Sequence, residues 1–111
     1  HASSYSSAEV LHGPVEIVDE YHPVIALISR DAAEQSIVNV CENIAERNAK
    51  VFGTSSYLNK SISLEFVDTG HPFTDPIALI ASFYPFVENL SLVRGKNPDQ
   101  PSLLKKVTKT I

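Results

Sequence analysis

Residues 23–53 read PVIALISRDAAEQSIVNVCENIAERNAKVFG, and this stretch decides the fold class. Val24-Ile25-Ala26-Leu27-Ile28 is a continuous apolar run of strand length. Such a run suits a strand buried on both faces, as in a parallel sheet. Asp31, followed three residues later by Glu34, gives a helix start of the capping-box type, with Asp in the place of Ser or Thr. Ala33, Ile37, Val40, Cys41, Ile44 and Ala45 then recur at helical spacing, which predicts an amphipathic helix over 32–48. Ala49 to Gly53 reads as a second short strand, ending in the turn Gly53-Thr54-Ser55-Ser56.

Working outward, Ser61 to Val67 alternates roughly and predicts a third strand. Asp75-Pro76 predicts a helix start, with Asp as N-cap and Pro at the first helical position. A largely apolar segment follows to Arg94, with Gly95 at the C-cap and Pro85 inside it as an expected kink. On the other side, residues 1–14 are polar and Ser-rich and end in the break Gly13-Pro14, and 15–18 predict a short turn of helix. The order of strand, helix, strand, strand, helix and tail is α/β material with a mainly parallel sheet. Two helices are few for three strands that need cover on both faces. A chain of this size buries only about 65% of its surface on folding. We therefore expect partner structure, either an upstream half or a second chain. One domain is expected, divided into a turn region at 1–23, an α/β core at 24–95 and a C-terminal tail at 96–111. The opening residues read as the middle of a pattern.

The 111 residues carry 9 Lys plus Arg against 13 Asp plus Glu, a net charge of −4, and are 43% hydrophobic. That apolar fraction excludes a disordered chain. The charge is uneven: 94–111 has a net charge of +4 and 1–93 a net charge of −8. A basic tail of this kind attracts phosphate. Aromatic residues are not interleaved with the basic ones, so nucleic acid is not expected as a partner. No apolar run in the sequence reaches the ~20 residues that span a bilayer, so no membrane is expected. The single cysteine, Cys41, excludes an internal disulfide and falls on the apolar stripe of the expected helix, where it reads as a buried structural thiol. No signal-type segment is visible, and a cytoplasmic location is expected.

Four histidines, His1, His12, His22 and His71, have no spacing of a zinc site, and no metal is expected. No phosphate-cradling glycine loop of the Walker or dinucleotide type is present. Gly53-Thr54-Ser55-Ser56 reads either as a turn or as a set of amides and hydroxyls facing an anion. Glu9 and His12 are three apart beside a Gly-Pro break. If 6–12 is helical, both side chains lie on one face, as a proton-moving pair or as a plain surface pair. Lys105-Lys106 reads as a solvated tail or as a Schiff-base lysine shielded from water.

Two stretches at opposite ends bear on these alternatives. Ser6-Ser7-Ala8-Glu9-Val10-Leu11-His12-Gly13-Pro14 resembles the Glu-x-x-His-Gly-Pro signature of sugar isomerase (SIS) domains. Arg94-Gly95-Lys96-Asn97-Pro98-Asp99-Gln100-Pro101, followed by Leu104, Lys106, Val107 and Thr108, resembles the C-terminal tail of the same group. Within it, the chain is similar to amino-sugar-phosphate enzymes, namely the isomerase half of glucosamine-6-phosphate synthase and the SIS-type glucosamine-6-phosphate deaminases. Asp75-Pro76-Ile77 with Ser82-Phe83-Tyr84 looks like the deaminase version of the last helix.

The resemblance implies a three-layer α/β/α sandwich on a parallel sheet, of which this chain is the later part of the second such domain. It implies that His12 opens the sugar ring and reaches a neighbouring subunit's site, so a homodimer is expected. It further implies that Lys106 contacts the open-chain sugar and forms a Schiff base with a ketose. Lys105 lies along the substrate, and Glu9 has a supporting catalytic role. The family's phosphate loops and its glutamate base lie upstream of this segment, and Gly53-Thr54-Ser55-Ser56 does not match those loops. The implied reaction is aldose–ketose chemistry converting glucosamine 6-phosphate to fructose 6-phosphate and ammonia, without metal or organic cofactor. The alternatives are the isomerase domain of an isomerizing glutamine–fructose-6-phosphate aminotransferase and a non-catalytic SIS module that only binds a sugar phosphate. These 111 residues alone are expected to show little or no catalysis.

Overall fold

The computed structural model describes residues 2–100. The described residues fall into two compact units, divided between Leu79 and Ile80. The first holds α1 (Ser7–Val10), a 3-10 turn (Pro14–Ile17), β1 (Pro23–Ala26), α2 (Glu34–Ala45), β2 (Lys50–Gly53) and β3 (Ile62–Ser63). A further helix, α3 (Asp75–Val93), starts in the first unit and runs into the second.

The three strands form one parallel sheet in the order β1-β2-β3. Val24 pairs with Val51, Ala26 with Gly53, and Phe52 with Ile62. The helix α2 makes the crossover that a parallel β1–β2 pair requires. Its Val38, Cys41 and Ile44 are buried with Val15, Ile28, Ala49, Val51 and Leu58 in one apolar cluster. Ile37, Val40 and Ala45 pack against that cluster from the flanks. The stripe expected from the sequence is therefore present, with Val38 at its centre and Ala33 outside the helix.

Several expected elements are shorter than the sequence reading, each for a reason visible in the hydrogen bonds. β1 stops at Ala26 because the Ile28 N–H turns to the Thr54 hydroxyl (2.7 Å), which donates back to the Ile28 carbonyl (3.1 Å). The expected strand at 61–67 is a two-residue strand, since its partner β2 ends at Gly53 and the last ladder bond is Leu64 N–H to the Gly53 carbonyl (2.8 Å). The helix expected over 32–48 starts at Glu34. Asp31 accepts instead from the Ala33 N–H (2.7 Å) in a tight turn, and the Glu34 carboxylate goes to Ser55. Glu42 accepts from the N–H groups of Asn59, Lys60 and Ser61 (3.2, 2.8 and 3.2 Å) and so fastens the β2–β3 connection to α2. Burial pushes this carboxyl up, but the converging backbone donors outweigh it and leave it below the usual carboxylate range.

At the start of α3 the Thr74 carbonyl accepts the first helical bond from Ala78 (3.1 Å). Thr74, not Asp75, is thus the N-cap, and the Asp75 side chain is free to bond elsewhere. In the second unit α3 continues through Pro85 and ends in the arrangement expected at Gly95. Gly95 has φ 69°, its N–H reaches the Leu92 carbonyl (2.9 Å), and the Lys96 N–H reaches Ser91 (2.9 Å). This paired closure satisfies carbonyls that a helix end leaves open, and it favours glycine at the left-handed position. The sequence expectation of no span-length apolar segment needs correction. With Asp75 and Glu88 as its only charges, α3 is long and apolar enough to cross a membrane by length and composition alone, with a mean hydropathy of 1.4. A core helix of a larger α/β domain has the same length and composition.

Candidate functional site

The segment from Ser6 to Ile17 is built residue by residue for a tight display turn. Ser6, at φ −71° and ψ 158°, caps α1, and its hydroxyl accepts from the Glu9 N–H (3.2 Å). The Glu9 carboxylate folds back to accept from the Ser6 N–H (2.9 Å) and hydroxyl (2.8 Å). This reciprocal capping box holds the Glu9 carboxyl below its usual range, chiefly through the Ser6 backbone bond. The chain then turns, with His12 N–H bonding to the Glu9 carbonyl (3.0 Å). Gly13 follows at φ 153°, a backbone conformation that a side chain strains, and Pro14 opens the 3-10 turn at its first position. Buried Val15 then pins the turn to the core.

His12 is left exposed between these two fixed pieces, and among the described residues its imidazole has no hydrogen-bond partner. Glu9 and His12 are therefore brought together along the backbone, while the Glu9 carboxylate is committed to Ser6 rather than to the imidazole. The sequence contained the signal for this, since Ser-x-x-Glu is itself a helix-capping pattern. Lys105 and Lys106 lie outside the described residues.

A second polar cluster, which sequence reasoning missed, sits at the C-terminal rim of the sheet, where open α/β sheets place their ligands. Arg30 Nη2 lies 2.7 Å from Asp75 Oδ1, and Arg30 Nε donates to Asp75 Oδ2 (2.9 Å). Arg30 Nη2 also donates to the Val67 carbonyl (2.9 Å), and the guanidinium carbon lies 4.6 Å from the centre of the Phe66 ring. Asp75 is 1% exposed and accepts in addition from the Thr69 hydroxyl (2.6 Å) and N–H (3.2 Å). The Arg30 bond, then the Thr69 hydroxyl, hold its carboxyl far below the usual carboxylate range. On the same rim buried Ser55 donates to Glu34 (2.7 Å) and accepts from the Tyr57 N–H (3.3 Å). The hydroxyls of Thr54 and Ser55 are thus engaged within the chain. An arginine two residues past the apolar run 24–28 was the signal available in the sequence.

Burial pushes the Cys41 thiol up to about 11, so at neutral pH it is a packed thiol rather than a thiolate. Among the described residues no group of three or more His, Cys, Asp or Glu side chains is gathered to hold a metal ion.

No family-level sequence model matches the chain. Its sequence is similar to isomerizing glutamine–fructose-6-phosphate aminotransferases over 97% of its length. Identity is 34% with the Pyrobaculum aerophilum protein and 25% with that of Thermus thermophilus. The chain spans only 19% of each of these relatives. Among solved structures, a Silicibacter pomeroyi DSS-3 protein assigned as a phosphosugar isomerase is 48% identical, with a TM-score of 0.83 over 89% of this chain and 30% of that one. The C-terminal domain of the Francisella tularensis glucosamine–fructose-6-phosphate aminotransferase is 25% identical, with a TM-score of 0.64 over 87% of this chain and 29% of that one. By sequence and by fold, the chain is a relative of the SIS-type phosphosugar isomerases and of the C-terminal isomerase part of the glutamine–fructose-6-phosphate aminotransferases, matching a portion of each.

Proposed function

We propose that this chain is the C-terminal part of a phosphosugar aldose–ketose isomerase/deaminase that converts glucosamine 6-phosphate and water to fructose 6-phosphate and ammonia. The observation that carries the reading is the His12 turn. An exposed imidazole with no partner among the described residues is held between a capping box and a Gly-Pro turn, as a proton-transfer group for a ligand or neighbouring subunit would be. His12 takes the proton of the anomeric hydroxyl and returns one to the ring oxygen, which opens the sugar. A carboxylate outside this chain moves the C2 proton to C1, and water then releases ammonia. Lys106 stabilises the charge that builds on the open-chain intermediate. With a ketose, its amine condenses with the carbonyl to give an imine and water. Lys105 lies along the substrate, and Glu9 supports the turn that carries His12. The working enzyme is a cytoplasmic homodimer in which His12 serves a shared or neighbouring site.

A second reading, the isomerase part of a glutamine-dependent aminotransferase, is favoured by the names of the curated relatives. The S. pomeroyi chain and the C-terminal domain of the F. tularensis aminotransferase are covered to nearly the same extent, 30% and 29%, so both readings are put to the same test. The deciding experiment uses the full-length protein with glucosamine 6-phosphate, and separately with fructose 6-phosphate and glutamine. Ammonia and fructose 6-phosphate from the first mixture support the deaminase. Glutamine-dependent amino-sugar formation in the second overturns it in favour of the aminotransferase. Phosphosugar binding without turnover in either leaves only the binding module.

A further inference from the structure

We draw no further inference here: the strongest candidate, the shallow groove of about 280 Å³ between α1 and α2 lined by Leu11, Ser36, Asn39, Val40 and Asn43, carries nothing because no feature of the structure shows what covers it.

Discussion

Arg30 and Asp75, 45 residues apart in sequence, meet in a two-point ion pair, Nη2 to Oδ1 at 2.7 Å and Nε to Oδ2 at 2.9 Å. The pair ties the loop after β1 to the first turn of α3, and Thr69 and Val67 bind the same two groups from the segment after β3. Three segments at one rim of the sheet are thereby held by a single side-chain network. A two-point guanidinium–carboxylate contact is geometrically specific, and losing one partner leaves the other charge buried without compensation.

Asp75→Asn tests this network. The carboxyl sits far below its usual range because Arg30, then Thr69, favour the ionised form. A depressed folded value means that the stabilisation is complete above the unfolded value of about 4 and is lost as pH falls through the folded one. The substitution should lower Tm at pH 7 by more than Asp68→Asn, whose carboxylate is 67% exposed and 3.7 Å from Arg30 Nε. It should also flatten the fall of Tm below about pH 4. Thermal melts of the full-length protein across pH read both effects; equal behaviour of the two variants would deny the pair its role.

Cys41 is 3% exposed and its thiol is raised to about 11 by burial. The folded protein at pH 8 should therefore resist thiol reagents at this position, and denaturant should make the Cys41 thiol reactive. Cys41→Ser buries a hydroxyl in the apolar cluster and should cost about 1–3 kcal/mol, whereas Cys41→Ala should cost less. Urea titrations with a thiol assay in parallel check both statements.

Tyr21 holds φ 66°, a left-handed conformation, while its N–H bonds to the Asn48 carbonyl at 2.9 Å. Tyr21 is 65% exposed, and the Lys50 ammonium, 5.6 Å from the centre of its ring, is a weak contact at such an exposed site, so little offsets the strain. Tyr21→Gly should raise stability by roughly 0.5–1 kcal/mol, and Tyr21→Val should lower it. Denaturant midpoints give the sign directly.

Much of the architecture was legible in the sequence because periodicity reports burial. The run at 24–28, the stripe from Ile37 to Ala45 and the segment ending at Gly53 each appeared as an element of the expected type and order. Gly95 closed α3 as its sequence context indicates, since a left-handed position after a helix has few other solutions. The element ends were less legible, because Asp31, Glu34 and Asp75 each found a partner other than the expected one. For Glu34 and Asp75 the competitor is a tertiary neighbour 21 or 45 residues away, Ser55 and Arg30, whereas Asp31 is taken by the Ala33 N–H two residues on. The His12 turn was recognisable as a motif, but the engagement of Glu9 with Ser6 required coordinates.

That engagement separates two roles for Glu9. If Glu9 acts only by capping α1, Ser6→Ala and Glu9→Gln should alter kcat of the full-length enzyme to the same degree, and the double variant should add little. Ser6→Ala should cost about 0.5–2 kcal/mol of local helix stability. A loss of kcat in Glu9→Gln well beyond that in Ser6→Ala would make Glu9 a catalytic group instead. Initial rates and melts on the three variants decide between the roles.

His12 gives the complementary case, because among the described residues its side chain has no hydrogen-bond partner. His12→Gln should leave stability within about 0.5 kcal/mol, since the turn is fixed by Ser6, Glu9, Gly13, Pro14 and Val15. If the imidazole opens the sugar ring, the same variant should lose on the order of 10²–10⁴ in kcat for a cyclic phosphosugar. A phosphosugar analogue locked in its open-chain form should still bind as tightly as to the parent enzyme, because ring opening has been bypassed. A variant that melts normally, binds the open-chain analogue and fails only on the ring form would place the proton transfer at His12. A variant with undiminished kcat would remove His12 from the reaction and leave the turn with a purely structural role.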